Sequence, residues 1–305
     1  KLAPTKPISV VIANAAECEP YLTIDERTLL EMPDKIIDGL SIVMKIINAA
    51  EGVVAIEENK KHTLPLVEKA IQENPQVKAG MKIGIQVLKT KYPQGGEKML
   101  ITAITGRQVP SGGLPMDVGC VVSNVGTLCA IADAFREGKP LIERGFTVTG
   151  GACRTPKNLV VPVGTVVADL AKTGIIDIDE ESLSKVIFGG PMMGVAVPST
   201  EIPVQKNTSG VVLMSVEEAL QFEEKTCIRC GRCIRACPMR ISPALLAIAI
   251  ESGNYSEAEK IGLQDCIECG ACSFVCPARR YLVQRFRIGK QVLRALKQKE
   301  AQNVR

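Results

Sequence analysis

The spacing Cys227-x-x-Cys230-x-x-Cys233-x-x-x-Cys237-Pro238 recurs further on as Cys266-x-x-Cys269-x-x-Cys272-x-x-x-Cys276-Pro277. No other feature of the chain limits its fold so strongly, because eight thiolates must be brought to the corners of inorganic clusters. Three closely spaced Cys reach three corners of one cubane, and the fourth, displaced and followed by Pro, is directed to the other; this is the pattern that holds two [4Fe–4S] clusters. The spacing therefore assigns Cys227, Cys230, Cys233 and Cys276 to one cluster and Cys266, Cys269, Cys272 and Cys237 to the other. Gly231 and Gly270 fall between the second and third ligands of each set, where a side chain would crowd a cluster. Four thiolates also suit zinc, but zinc needs neither the third Cys at this spacing nor the Cys-Pro, repeated twice.

Composition agrees with thiolate chemistry. The 305 residues hold 12 Cys against one His, which leaves little room for His-ligated zinc or imidazole proton relays. A hydrophobic fraction of 46% with a net charge of +4 describes a folded protein rather than a disordered chain or a polycation. Aromatic residues make up 3%, too few for base-stacking surfaces, so nucleic-acid binding is not expected. No apolar run approaches the roughly 18 residues of a membrane span, and no secretory leader is visible, which places the Cys in a reducing compartment where metal binding is favoured over disulfides. Cys18, Cys120, Cys129 and Cys153 lack ligand spacing and read as buried free thiols, and His62, after Lys60-Lys61, reads as a surface residue. The first residue is Lys1 rather than Met, which points to a longer or processed polypeptide.

Periodicity divides the chain. Strands are expected over 8–13, 53–56 and 82–88, and helices over 35–50, 63–72 and 124–135, with a loop over 14–21. Alternating strands and helices make a layered α/β domain. From Gly145 to Met214 short strand-like pieces (146–149, 159–163, 186–188, 211–214) surround one helical stretch, 165–171, with frequent Gly and Pro, as in a small α+β module. The segment 242–259 between the Cys runs reads helical. Beyond Cys276 the chain carries nine Lys/Arg against one acid, Glu300, with apolar residues spaced for an amphipathic helix; such a helix would pack on the cluster domain or dock on anionic lipid or an acidic partner.

The N-terminal region carries a resemblance as well. Asn14-Ala-Ala-Glu17-Cys-Glu19-Pro20-Tyr21 with Asp25-Glu26-Arg27, Tyr92-Pro-Gln-Gly95-Gly96-Glu97-Lys98, Gly106-Arg107-Gln-Val-Pro110, Val121-Val-Ser-Asn124-Val-Gly126-Thr127, Thr149-Gly-Gly151 and Gly189-Gly-Pro-Met-Met-Gly194 closely resemble the C subunits of the Rnf complexes, the ion-translocating ferredoxin:NAD oxidoreductases. The resemblance covers nearly the whole chain, and a weaker one extends to the flavin-bearing subunit of respiratory complex I. It implies an FMN and NADH domain over 1–140, a β-grasp module of the soluble-ligand-binding type over 141–214, a helical two-[4Fe–4S] domain over 215–281 and a basic C-terminal helix over 282–305. It further implies that FMN exchanges hydride with NAD(H) and passes single electrons to the clusters. The chain would then sit peripherally on the cytoplasmic face of the cell membrane, beside other Rnf-type membrane and ferredoxin-like subunits.

By the same match, Lys1, Asn14, Glu17 and Glu19 approach the flavin, Gly95, Gly96 and Glu97 line its edge, and Val122, Ser123, Asn124 and Thr127 lie near its ribityl phosphate. A helix beginning after Ser123-Asn124 would offer free N–H groups to that phosphate. There are departures. Complex I has acids where this chain has Ala16 and Gly96, so its nicotinamide contacts do not transfer intact. The family's glycine-rich flavin loop falls upstream of Lys1, so FMN is expected in a full-length protein that contains that loop. The turns Gly150-Gly151 and Gly189-Gly190 form no complete phosphate-loop pattern and read as structural turns. The same family includes the cobalamin reductase of diol-degrading microcompartments, and a non-catalytic iron–sulfur relay is the reading from another class.

Overall fold

In the computed structural model, which describes residues 1–303, the chain forms two compact units, Lys1–Leu220 and a second beginning at Gln221. The first unit opens with strand β1 (Val10–Ala15), helices α1 (Ile24–Glu31) and α2 (Pro33–Ile47), and β2 (Glu51–Glu57). It continues through α3 (Leu64–Glu73), α4 (Pro75–Lys78), β3 (Lys82–Leu88), α5 (Glu97–Thr105), β4 (Cys120–Asn124) and α6 (Val125–Glu137). The four strands are all parallel, in the order β3-β2-β1-β4. Parallel strands are covered on both faces, and β1 shows why its Val-Val-Ile-Ala run is continuously apolar. Val11, Ala13 and Ala15 face a core shared with α2, α3 and α6, while Val10 and Ile12 face Leu100 and Ile101 of α5.

Helices α2 and α6 lie so close that a Cβ on Gly39 would stand 2.0 Å from the carbonyl oxygen of Leu128. The helix expected over 35–50 is α2, and it stops where Asn48 turns into the left-handed region at φ 53°. The strand expected over 8–13 runs from Val10 to Ala15, and the one expected over 82–88 is β3. Helices α1 and α5 and strand β4 were not anticipated from the periodicity.

A mixed sheet follows. Its members are β5 (Glu143–Thr149), β6 (Lys157–Pro162), β7 (Leu183–Phe188), β8 (Val195–Val197) and β9 (Gly210–Ser215), in the order β6-β5-β9-β7-β8. Only β5 and β9 pair in parallel. Helix α7 (Val167–Lys172) sets Val167 and Leu170 against Phe146, Val148 and Leu213, completing a separate core.

The second unit is helical: α8 (Arg232–Ala236), α9 (Pro243–Glu251), α10 (Tyr255–Lys260), α11 (Ala271–Phe274) and α12 (Leu282–Asn303). The single helix read over 242–259 is in fact two, because Ser252-Gly253-Asn254 breaks it with Gly253 at φ 72° and Asn254 caps α10 through Glu257 N–H at 3.1 Å. The core is built on Phe286, Leu246, Leu263 and Leu293. The basic helix is α12, and its charges are largely engaged within the unit. Arg285 pairs with Glu224 and Glu251, Arg287 and Lys290 pair with Glu268, and Lys297 pairs with Glu259.

The contact between α2 and α6 gives a direct test of the first core. Gly39→Ala should cost about 1–3 kcal/mol by overpacking, because backbone rather than a flexible side chain would have to move. Urea unfolding should show the loss as a lower midpoint with an unchanged slope.

Candidate functional site

In an open parallel sheet, ligands bind beyond the carboxyl ends of the strands, where neighbouring strands send their connections in opposite directions. Here that point lies between β1, which leads toward β2, and β4 on its other side. Asn14 at the end of β1 pairs in register with Asn124 at the end of β4. The Asn14 side chain donates to Gly95 O at 2.9 Å and accepts from Ala16 N–H at 3.1 Å, which draws the 92–97 loop onto the end of β1. Gly95 has no room for a side chain, since a Cβ would approach Ala16 O to 2.1 Å. The N-termini of α5, capped by Gly96, and α6, capped by Asn124, therefore converge at one end of β1. Lys1 adds a cation, donating from Nζ to Glu97 Oε1 at 2.9 Å and to Val122 O.

Of the residues expected near a flavin, Lys1, Asn14, Gly95, Gly96, Glu97, Val122, Ser123 and Asn124 are thus gathered at the carboxyl end of β1 and β4. Thr127 is exposed on the first turn of α6. Ser123 does not cap that helix: it is the buried penultimate residue of β4, and Asn124 accepts from Gly126 N–H at 2.9 Å instead.

Glu17 and Glu19 are engaged elsewhere. Glu17 accepts from the N–H groups of Asp25 and Glu26, at 2.9 and 3.3 Å, and so closes the N-terminus of α1. Burial, reinforced by the nearby Asp25 charge, pushes its pKa up to about 7. Glu19 accepts from the N–H groups of Met192 and Met193, at 3.1 and 3.0 Å, and from the Tyr92 hydroxyl at 3.3 Å. The Gly189–Gly194 turn thus holds an internal carboxylate, and a Cβ on Gly190 would collide with it at 2.1 Å.

Asp25 and Gln94 lie within the sequence motifs but had no expected role. Asp25 receives the Asn124 amide at 2.8 Å, and its pKa is raised by burial and held back by Asn124 and Arg144. Together Asp25, Asn124 and Arg144 line a cleft of about 590 Å³ between α1, α6 and strands β5 and β6. A wider cleft, about 1070 Å³, lies between α7 and β7–β8 and contains none of the expected site residues. Gln94 is 3% exposed, and its Oε1 has no hydrogen-bond partner. A buried acceptor without a donor suits a ligand that brings its own O–H or N–H, and the two converging helix N-termini suit an anionic group such as a phosphate.

The thiols form two groups. Cys233 lies within electrostatic reach of Cys227 and Cys276, and Cys272 within reach of Cys266, Cys269 and Cys237. The second group lines a small cavity, to which Cys237 and Pro238 come from the first run. Arg229 and Glu268, at equivalent positions in the two runs, both take left-handed backbone, at φ 55° and 57°. Among the described residues no three His, Cys, Asp or Glu side chains close on a single ion. Thiolates bound to four different irons stand farther apart than those around one zinc at about 2.3 Å. Of the remaining thiols, Cys120, Cys129 and Cys153 are buried and Cys18 is half-buried, while His62 meets Glu26 at 2.8 Å on the surface.

Comparison with known proteins matches residues 1–133 to the Nuo51 FMN-binding domain family and residues 219–277 to the 4Fe-4S dicluster domain family. The C subunit of the proton-translocating ferredoxin:NAD(+) oxidoreductase complex of Clostridium ljungdahlii is 48% identical over 306 residues, covering 98% of this chain and 64% of that protein. The Na(+)-translocating counterpart from Acetobacterium woodii is 40% identical over 303 residues, covering 98% of this chain and 66% of that protein. For the C subunit of the ion-translocating oxidoreductase complex of Vibrio cholerae, identity is 40% over 257 residues, or 84% of this chain and 32% of that protein. The chain therefore spans two thirds or less of the length of these relatives. Among solved structures, NAD+-reducing [NiFe]-hydrogenase in its H2-reduced state shares the fold, with a TM-score of 0.60 and 18% identity over 92% of this chain and 57% of that one.

Glu17 makes stability depend on pH in a defined direction. Its folded pKa of about 7 lies above the ordinary 4.5, so between those values the folded state holds a proton that the unfolded state has released. Stability should fall as pH rises through that window, by up to about 3 kcal/mol. Denaturant midpoints measured across it should decline in the wild type and decline less in Glu17→Gln.

Proposed function

We propose, from the premise that this chain belongs to the family of the C subunits of ion-translocating oxidoreductase complexes, that it is the flavin and iron–sulfur electron-transfer subunit of a ferredoxin:NAD oxidoreductase. The observation that carries the reading is the small cavity that Cys237 and Pro238 of the first run line together with Cys266, Cys269 and Cys272 of the second, as the interleaved ligands of two cubanes require. One cluster would be held by Cys227, Cys230, Cys233 and Cys276, the other by Cys266, Cys269, Cys272 and Cys237. FMN, when bound, takes two electrons as hydride from NADH and releases them singly, which is what a pair of one-electron clusters needs.

The chain's own contribution at the flavin site is positioning. Lys1 and the N-termini of α5 and α6 supply positive potential for a phosphate. Asn14 and Gly95 fix the 92–97 loop at close range, and Ser123, Asn124 and Thr127 present the start of α6. Glu17 and Glu19 act behind these residues by tying the 15–25 segment to α1 and to the Gly189–Gly194 turn.

We assign the FMN and NADH domain to 1–140, a β-grasp module to 141–214, the two-cluster domain to 215–281 and the basic helix to 282–305. Among the described residues no helix is long and apolar enough to cross a membrane; the family reading is what places the chain as a peripheral subunit on the cytoplasmic face. Because most cations of α12 are paired within the unit, attachment through neighbouring subunits is favoured over attachment to lipid.

Anaerobic purification should yield two [4Fe–4S] clusters per chain by iron and sulfide analysis, and zinc without labile sulfide would end the reading. Cys237→Ala should convert the cluster of Cys266, Cys269 and Cys272 toward a three-iron form and leave the other intact by EPR. If Cys237 instead completed the Cys227, Cys230 and Cys233 cluster, the damage would appear there.

A further inference from the structure

The cleft of about 590 Å³ between α1, α6 and strands β5 and β6 is not absorbed by the flavin reading, since of the residues expected near the flavin only Asn124 lines it. Its charged lining is mostly satisfied from within. Arg27 pairs with Glu31, Lys35 with Asp133 and Lys139 with Glu143, while Lys157 donates to Ile175 O at 2.8 Å. Asp25 and Arg144 are left, and among the described residues neither forms an ion pair, with the other or elsewhere.

Arg144 is half-buried and makes one hydrogen bond, from Nε to Thr208 O at 2.7 Å, so its two terminal nitrogens have no acceptor among the described residues. Its head stands at the start of α6, where a Cβ on Gly126 would lie 3.4 Å from Nη1. A guanidinium there adds to the positive end of a helix instead of opposing it. Burial lowers the Arg144 pKa, and Asp25 only holds this back. Asp25 is a weak counter-charge because its carboxyl is engaged by the Asn124 amide at 2.8 Å and burial raises its pKa. Aliphatic side chains complete the lining. Ile24 and Val160 approach each other over Gly145, where a Cβ would stand 3.1 and 3.9 Å from them, and Val160 is 65% exposed. Leu141 lies in the same lining. Apolar walls with a few polar groups, in a volume of this size, are the usual make-up of a small-molecule site.

We infer that this cleft binds a small amphiphilic monocarboxylate, with the carboxylate on the Nη1–Nη2 edge of Arg144 and the aliphatic body along Ile24, Leu141 and Val160. The free edge of a guanidinium matches a carboxylate in bidentate fashion. A doubly charged phosphate would meet twice the repulsion from Asp25, which favours a single negative charge. The inference rests on neither the flavin nor the cluster reading, because its binding groups lie outside both sets of expected ligands.

The probe is octanoate, titrated by calorimetry into the full chain with its clusters loaded under anaerobic conditions. Binding should be saturable at one site per chain, with a Kd below about 1 mM. Inorganic phosphate and 1-octanol, which carry only the charge or only the chain, should each bind about tenfold more weakly or worse. Arg144→Gln should weaken octanoate by about tenfold or more, as should Val160→Glu, while Lys172→Gln in the wider cleft should change nothing. Absence of saturable octanoate binding would overturn the inference, and so would full affinity in Arg144→Gln. Equal affinity for 1-octanol would show a merely greasy cleft, and equal affinity for phosphate a merely cationic one; either result also defeats it. If Arg144→Gln does not fold, the exposed Val160→Glu variant and the comparison of the three probes on the wild type still decide.

Discussion

A carboxylate taken out of water must find donors, and in the first unit the donors are backbone N–H groups at turns and helix starts. Glu17 finds them at the start of α1, Glu19 at Met192 and Met193, and Glu218 at Gly151 and Ser215, at 2.6 and 3.1 Å. Glu218 also accepts the Tyr21 hydroxyl at 2.6 Å; although burial raises its pKa, these donors leave it below the usual range. Glu19 and Tyr21 sit between the end of β1 and α1, so these bonds bind the parallel sheet's loop to the mixed sheet. The Gly-Gly turns follow from that demand: a Cβ on Gly151 would stand 2.6 Å from Glu218 Oε2, as one on Gly190 would clash with Glu19. They are receptors for carboxylates, a half-buried one at Gly190 and a surface one at Gly151, which agrees with reading them as structural turns.

With Glu17 and Glu19 held from behind, the front of the same loop is left for Asn14 and Gly95. Asn14 is the last but one residue of the strand at the switch point, so its amide reaches the loop after β3 while its backbone pairs with β4. Residues far apart in sequence, Lys1, Asn14, Glu97 and Asn124, meet because β1 lies between β2 and β4. The positive ends of α5 and α6 come with that arrangement, as a consequence of parallel topology rather than of added charge.

Much of this was legible and some was not, for identifiable reasons. The apolar run of β1, the seven residues of β3 and the amphipathic face of α2 carry strong patterns because each is buried along its length or on one face. Helix α1 escaped because only Thr28 and Leu29 of its eight residues are buried, and α5 because only Leu100 and Ile101 are. Strand β4 was hidden inside the motif that contains it; five residues followed at once by a helix give periodicity little to register. The choice of Asn124 over Ser123 as cap depends on where the strand ends, which local composition does not specify. Asp25 could not be found as a partner of Asn124 from sequence, since their approach is made by the packing of α1 on α6.

The second unit shows a related separation between what geometry requires and what charge adds. Both runs need the left-handed residue, the glycine before the short helix and the terminal Cys-Pro, and both have them. What they place around that shared frame differs. In the second run, Lys290 bonds both Glu268 and Cys266 O, at 2.8 and 2.6 Å, so α12 clamps the loop and cancels its charge. The first run has no comparable clamp on Arg229 among the described residues. A cluster's reduction potential responds to nearby charge and solvent exposure, so two sites alike in ligands would differ in electronic environment. Unpaired positive charge and solvent both favour the more negative, reduced state, and both are concentrated on the first run; a cluster held there would be the more oxidising of the two, which an anaerobic EPR-monitored redox titration would show as the first signal to appear on reduction.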